Sequence, residues 1–214
     1  MNRFHSVYFG DVFSGVFLFI ILIAFFALSA KAEVIITDSK MTFDEAINGT
    51  KAPKKIIENL RLIDVQYYSF DYKLHQGQLV IHKDLVEDVY KIFELMRKEK
   101  FPIAKCIPIV KYNWSDNASM EDNNTSGFNY RKVANSNKLS NHSYGFAVDF
   151  NPFQNPAVYL DGKISPKGSK YEINDPGTIT SDCFITLELK KLGWTWGGDW
   201  NSLKDYQHFQ KIVE

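Results

Sequence analysis

Charge of one sign is what this chain lacks most plainly. Its 25 Lys and Arg residues are balanced by 25 Asp and Glu residues. No net field therefore draws it to nucleic acid or to an anionic membrane surface, and neither partner is expected. Cysteine is scarce too: Cys106 and Cys183 are the only two in 214 residues. They have no metal-like spacing, which excludes a cysteine zinc cluster, and two residues cannot make a disulfide framework. The sequence leaves open a single bridge or two free thiols. Internal repeats, low-complexity tracts and linkers are missing as well. Strands and helices follow one another without a regular βαβ rhythm, which argues against a doubly wound parallel sheet. With 45% hydrophobic and 23% charged residues the composition is globular, and the length suits one domain with a real core.

Long apolar runs are absent except at the start. Arg3 precedes an apolar run from Val12 to Leu28, followed by Ser29-Ala30-Lys31-Ala32-Glu33. A basic start, an apolar core and an A-x-A site predict a signal peptide over residues 1–32, cleaved after Ala32. At about 17 residues the run is at the lower limit for spanning a bilayer, so an uncleaved N-terminal anchor is the alternative. No cysteine follows it, which argues against lipoprotein processing. Either way the folded part is expected outside the cytoplasm, periplasmic or extracellular, with a membrane contact only through this segment.

Residues 33–59 read as a lead-in, loosely held up to residue 50, with Pro53 at the first position of a short helix. Leu60 to Tyr68 and Gln78 to His82 have strand character, with a turn at Gly77. The spacing of Leu85, Val86, Val89, Ile92, Phe93 and Met96 predicts a helix from Asp84 to Lys98. Ile107 to Tyr112 reads as a strand, and the polar residues 113–127 as a mobile or functional loop. Phe146, Val148 and Phe150 alternate with Ala147 and Asp149, which turns Asp149 away from the packed side chains. Residues 151–180 look irregular. A second helix is expected over Ser181 to Leu192, stopped by Gly193, and a last strand over Gln207 to Ile212. The fold class expected is α+β, a mainly antiparallel sheet with flanking helices.

Two stretches carry the chemistry: SNHSYGFAVD at 140–149 and GWTWGGDWNSLKDYQHF at 193–209. They offer His142, Asp149 and His208, with Asp205 three residues before the last histidine. Two imidazoles and one carboxylate leave a position open for water, which is the ligand set of a catalytic zinc (Zn2+). Asp149 supports this, since a carboxylate on an apolar strand costs several kcal/mol unless a cation or full hydrogen bonding compensates. Asp205 is then placed to take a proton from water, or else only to orient a ligand histidine. Ser119, Thr125 and Ser126 are candidates for lining a substrate groove. Trp194, Trp196 and Trp200 are expected under the site, with Gly197-Gly198 as a tight turn. His5, His75 and His82 have no partner at ligand spacing and read as non-ligands.

The S-x-H-x-x-G-x-A-x-D pattern of Ser140, His142, Gly145, Ala147 and Asp149, with D-x-x-H at Asp205 and His208, resembles one family closely. It is that of the D-alanyl-D-alanine carboxypeptidases and L-alanyl-D-glutamate peptidases, VanY-like zinc metallopeptidases that cut peptidoglycan stem peptides. GQLVIHKDLVEDV, FPIAKCIPI, SMEDNNTSGFNYR, NPFQNP, GWTWGGDW and DYQHF are similar to that family as well, so the resemblance runs from about Leu60 to the C-terminus. It implies a hedgehog/DD-peptidase-like fold over 60–214, and His142, Asp149 and His208 as zinc ligands. It also implies Asp205 as acid/base and Arg131 as a group that binds or stabilises the reacting carbonyl. The activity implied is hydrolysis at a bond involving a D-amino acid, of the D-Ala-D-Ala carboxypeptidase type. An L-alanyl-D-glutamate endopeptidase is the nearest alternative. A non-catalytic, zinc-containing wall-binding protein is the alternative of another class, and retention of Asp205 and Arg131 argues against it.

Overall fold

A computed structural model describes residues 33–134 and 136–213; the signal segment expected over 1–32 lies outside the described residues. The first element, β1 (Ile36–Thr37), pairs in parallel with a strand forty residues on, and α1 (Phe43–Ala46) follows at once. Thr42 and Glu45 close a capping box around the start of α1. This part of the lead-in is therefore docked rather than loosely held. The cause is Gln78, buried in the central strand with an amide to satisfy: Ser39 Oγ and the Met41 N–H donate to its Oε1 at 2.7 and 2.6 Å. In α2 (Lys54–Ile57), Pro53 stands at the N-cap rather than the first helical position.

Ile63, Val65 and Tyr67 alternate with exposed Asp64 and half-buried Gln66 and give β2 (Leu60–Tyr68) a face in the main core, while Leu60 and Leu62 on its other face pack in a second, smaller cluster. It runs antiparallel to β3 (Leu74–His82), which is flanked on its other side by β1 and buried along most of its length. The turn between them is not at Gly77, which lies inside β3 opposite Val65. It is formed by Ser69 to Lys73, where the Asp71 carboxylate accepts the Lys73 N–H at 3.0 Å. The aspartate side chain mimics a backbone turn here, and that local bond outweighs the glycine signal.

The apolar stripe of α3 (Val86–Lys98), entered through a 3-10 turn at Lys83–Leu85, packs Val89, Ile92, Phe93 and Met96 on β2. Each fully buried side chain of this size contributes about 1.5–3 kcal/mol. Asp88 in its first turn accepts from Trp194 Nε1 and Lys211 Nζ, both at 2.8 Å, and so ties α3 to the C-terminal part of the chain. Beyond it, β4 (Lys105–Cys106) is followed by a 3-10 turn at Ile109–Tyr112 where a strand was expected. Pro108, with no N–H for a ladder, starts that turn, and Asn113 ends it in the left-handed region. The polar stretch after it is ordered. Ser115 caps α4 (Asp116–Glu121), and β5 (Asn124–Thr125) pairs in parallel with β4.

The remaining strands form two small antiparallel sheets. One has β6 (Ala147–Asp149) beside the C-terminal strand, and in the other β7 (Ala157–Tyr159) pairs with β8 (Ile164–Ser165). The stretch 151–180 is thus partly regular. After α5 (Phe184–Lys191), ended by Gly193, come β9 (Thr195–Trp196), β10 (Leu203–Asp205) and β11 (His208–Gln210). The orders are β6-β11-β9 and β10-β7-β8, and only β1–β3 and β4–β5 are parallel pairs among the described residues. One core holds these parts together: Tyr67, Leu79 and Ile81 of the first sheet meet Phe93, Val148, Phe150 and Phe209. Val148 and Phe209 sit in the β6–β11 pair, so the strands that carry the polar site are anchored from behind. Cys106 and Cys183 are free thiols. Among the described residues no helix is long and apolar enough to cross a membrane.

Candidate metal centre and catalytic cleft

His142 stands on a 3-10 turn at Asn141–Tyr144 whose first turn is capped by Ser140 Oγ. Gly145 closes that turn at φ +70°, where its α-carbon faces the His82 N–H so closely that a Cβ would lie 2.6 Å from it. Only glycine fits both demands. Four residues on, Asp149 ends β6, and antiparallel register sets His208 of β11 directly across from it. The Asp149 backbone is fixed from the other side by Ser126, through a pair of hydrogen bonds at 2.9 and 3.0 Å.

Three side chains consequently meet in a buried cluster. His208 Nδ1 lies 2.9 Å from Asp149 Oδ1, His142 Nε2 lies 3.1 Å from Asp149 Oδ2, and the two nitrogens are 3.2 Å apart. Each residue is at most 7% exposed. The outward nitrogens have acceptors: His142 Nδ1 faces the Gly127 carbonyl at 2.6 Å, and His208 Nε2 faces Gln210 Oε1 at 2.9 Å. In the neutral rings those acceptors take the N–H, which leaves both inward lone pairs pointing at one spot beside a carboxylate. Such a grouping needs protons or a cation at its centre, and one ligand atom from each residue lies within 4.8 Å of the others. The residues present fit a divalent metal.

Electrostatics agree. Burial raises the cost of an ionised Asp149, yet the two imidazoles hold its carboxyl well below the usual carboxylate range. Burial works against a charged His208 too, but Asp149 raises its pKa to about 9. A cation entering the cluster has that proton to displace.

The cluster opens on a cavity of about 260 Å³ whose walls include Arg131, Asn141, Tyr159, Trp200, Asp205 and Gln210. Asp205, on β10, keeps partial exposure there and is held by Gln207 Nε2 at 3.2 Å. Its backbone approaches Gly197 so closely that a Cβ on that residue would lie 2.4 Å from the Asp205 carbonyl oxygen. Desolvation, with the nearby Asp149 charge, raises the Asp205 pKa to about 6. Arg131 Nε lies 2.9 Å from Asp116 Oδ1, though its N–H is not directed at that oxygen, so the contact is an ion pair rather than a hydrogen bond.

Of the residues singled out in the sequence, His142, Asp149, His208, Asp205 and Arg131 share this cavity. Ser119, Thr125 and Ser126 do not line it. Ser119 Oγ accepts from Asn124, Thr125 Oγ1 accepts the Asn151 N–H, and Ser126 bridges to Asp149, so all three are scaffold. The side chains of Ser119 and Thr125 serve buried amide and backbone partners, and Ser126 acts through its backbone, which a polar-loop reading overlooks. Trp200 lies against His208 with ring centroids 5.2 Å apart, whereas Trp194 and Trp196 are in the core. His75 is engaged by Asp38 and Asp71. Sequence reasoning missed Gln210, Gln207 and the Gly127 carbonyl. Gln210 and Gln207 stand two residues from His208 and Asp205, where a glutamine forms no recognisable motif, and the Gly127 carbonyl reaches His142 only through chain return.

Residues 134–211 match the family model described as D-alanyl-D-alanine carboxypeptidase. The three clustered residues and Asp205 fall inside that match; Arg131 lies just ahead of it. The chain is also similar to the peptidoglycan L-alanyl-D-glutamate endopeptidase CwlK of Bacillus subtilis (strain 168), 39% identical over 74 residues. That alignment covers 34% of this chain and 40% of the relative's length. No solved structure matches. The resemblance carried by the sequence motifs is thus present in both comparisons.

Proposed function

We propose that this protein is an exported, zinc-dependent peptidase that hydrolyses peptidoglycan stem peptides at a bond involving a D-amino acid, on a hedgehog/DD-peptidase-like fold. One observation carries the reading: two imidazole lone pairs and a buried carboxylate converge on one point of a cleft that also holds Asp205. His142, Asp149 and His208 would hold the ion. Bound there, zinc supplies a Lewis acid that polarises an amide carbonyl and makes water more acidic.

The other roles belong to the chain itself. Asp205 accepts a proton from the attacking water and passes it to the departing amine, work suited to a carboxylate whose pKa is raised toward neutrality. Arg131 offers its guanidinium to the oxygen on which negative charge develops, while Asp116 keeps the arginine at the cleft wall. Because Asp205 works only as a carboxylate, hydrolysis should fall on the acid side, at or below the value of about 6 that its metal-free surroundings set. A bound cation draws that limit lower still. A pH–rate profile of kcat/KM checks it, with a tenfold loss per pH unit below the inflection; a flat acid limb down to pH 4 would count against Asp205.

Between the two bonds, the cleft favours an internal one such as L-alanyl-D-glutamate. A carboxypeptidase needs a group that binds the terminal carboxylate, and a spare cation is the strongest such group. Among the described residues lining the cavity Arg131 is the one Lys or Arg, and its charge is matched by Asp116. The similarity to an L-alanyl-D-glutamate endopeptidase supports the same choice. Mass spectrometry of muropeptides incubated with the zinc-loaded protein tests it. Release of a stem fragment supports the endopeptidase, loss of a single terminal D-Ala supports the carboxypeptidase, and no cleavage supports a wall-binding protein.

A further inference from the structure

The nitrogen that His208 turns toward the cluster is decided outside the cluster. His208 Nε2 lies 2.9 Å from Gln210 Oε1, and the same oxygen accepts from Asn141 Nδ2 at 2.7 Å. Gln210 lies two residues along β11 from His208, while Asn141 comes from the turn beside His142. With Asn141 donating, Gln210 presents its oxygen, not its amide nitrogen, to the imidazole. Turned the other way, the Gln210 N–H would need a lone pair on His208 Nε2. The ring proton would then sit on Nδ1, facing Asp149 and His142, and the ligand lone pair would be lost.

We propose that Asn141 and Gln210 form a positioning pair that fixes the His208 tautomer and thereby sets metal affinity. The inference rests on the metal-peptidase reading above. The Asn141 amide holds the Gln210 carbonyl toward the imidazole, that carbonyl holds a proton on Nε2, and Nδ1 is thereby the nitrogen that faces the ion once its own proton is displaced. Gln210 differs in kind from the Gly127 carbonyl that orients His142. A backbone oxygen has no other face to present, whereas a side-chain amide has two, so only the His208 side needs a second residue to choose between them.

The test is a competitive chelator titration of zinc, with cobalt spectra as a second readout, on the full folded protein and three variants. Gln210→Leu removes the acceptor and should weaken metal binding by about 10–100-fold, the usual effect of losing a partner of a metal-bound histidine. Gln210→Glu keeps an acceptor on Nε2 and should restore affinity to within about threefold, which a merely structural role would not explain. Asn141→Ala, which frees Gln210 to turn, should lose several-fold and covers the case that Gln210→Leu fails to fold. Melting temperatures of the metal-free variants should stay close to that of the parent. Zinc affinity within twofold of the parent in Asn141→Ala and in any folded Gln210→Leu would overturn the proposal. A parent protein that binds no zinc at all would instead defeat the functional reading on which it rests.

Discussion

Replacing Asp205 with Asn should reduce peptide hydrolysis by about 10²–10⁴-fold while bound zinc stays near one equivalent. The substitution keeps the shape of the side chain and an oxygen for Gln207 Nε2, the contact that holds it at 3.2 Å. It removes only the capacity to take a proton. Asp205 is not part of the His142–Asp149–His208 cluster, so the loss should appear in kcat with little change in metal content. Kinetics on muropeptides with metal analysis of the same sample separate the two effects. Activity within tenfold of the parent would assign the proton transfer to another group.

Replacing Asp149 with Ala should act in the opposite order, on metal first and on rate as a consequence. Structural zinc sites bind with roughly 10–16 kcal/mol spread over about four ligands, so losing one should cost about two to three orders of magnitude in affinity. Asp149 carries more than its share, because it is the one anion between the two imidazoles, 2.9 and 3.1 Å from them. Without it the site offers an incoming cation only neutral nitrogens in a buried setting. Chelator titration and residual activity should fall together. Unchanged zinc affinity in Asp149→Ala would show that the ion binds elsewhere.

The parts of the fold legible in the sequence were those with a sustained period or a strong local signal. The nine residues of β2 and the apolar stripe of α3 are where periodicity placed them, and Gly193 stops α5 as expected. Two- and three-residue strands such as β1, β4, β5 and β8 carry no period to read; they exist because a distant partner satisfies their backbone. The same reason hid the order in residues 36–46, which depends on the buried amide of Gln78. At the site, His142, Asp149, His208 and Asp205 were legible because two compact motifs hold them. Gln210 was not, since glutamine two residues from a histidine means nothing until β11 pairs with β6 and the turn at Asn141 comes alongside. Arg131 was found through family resemblance alone, and the cleft now gives it a physical partner in Asp116.

The most direct test of the metal centre is reconstitution. The protein spanning residues 33–214 is stripped with a chelator, dialysed, and titrated with zinc while muropeptide cleavage and bound metal are followed together. A His142–Asp149–His208 centre that drives hydrolysis predicts no cleavage by the stripped protein, with full recovery at one equivalent of zinc. Cleavage that persists without metal, or a protein that takes up one zinc and still cleaves nothing, would contradict it.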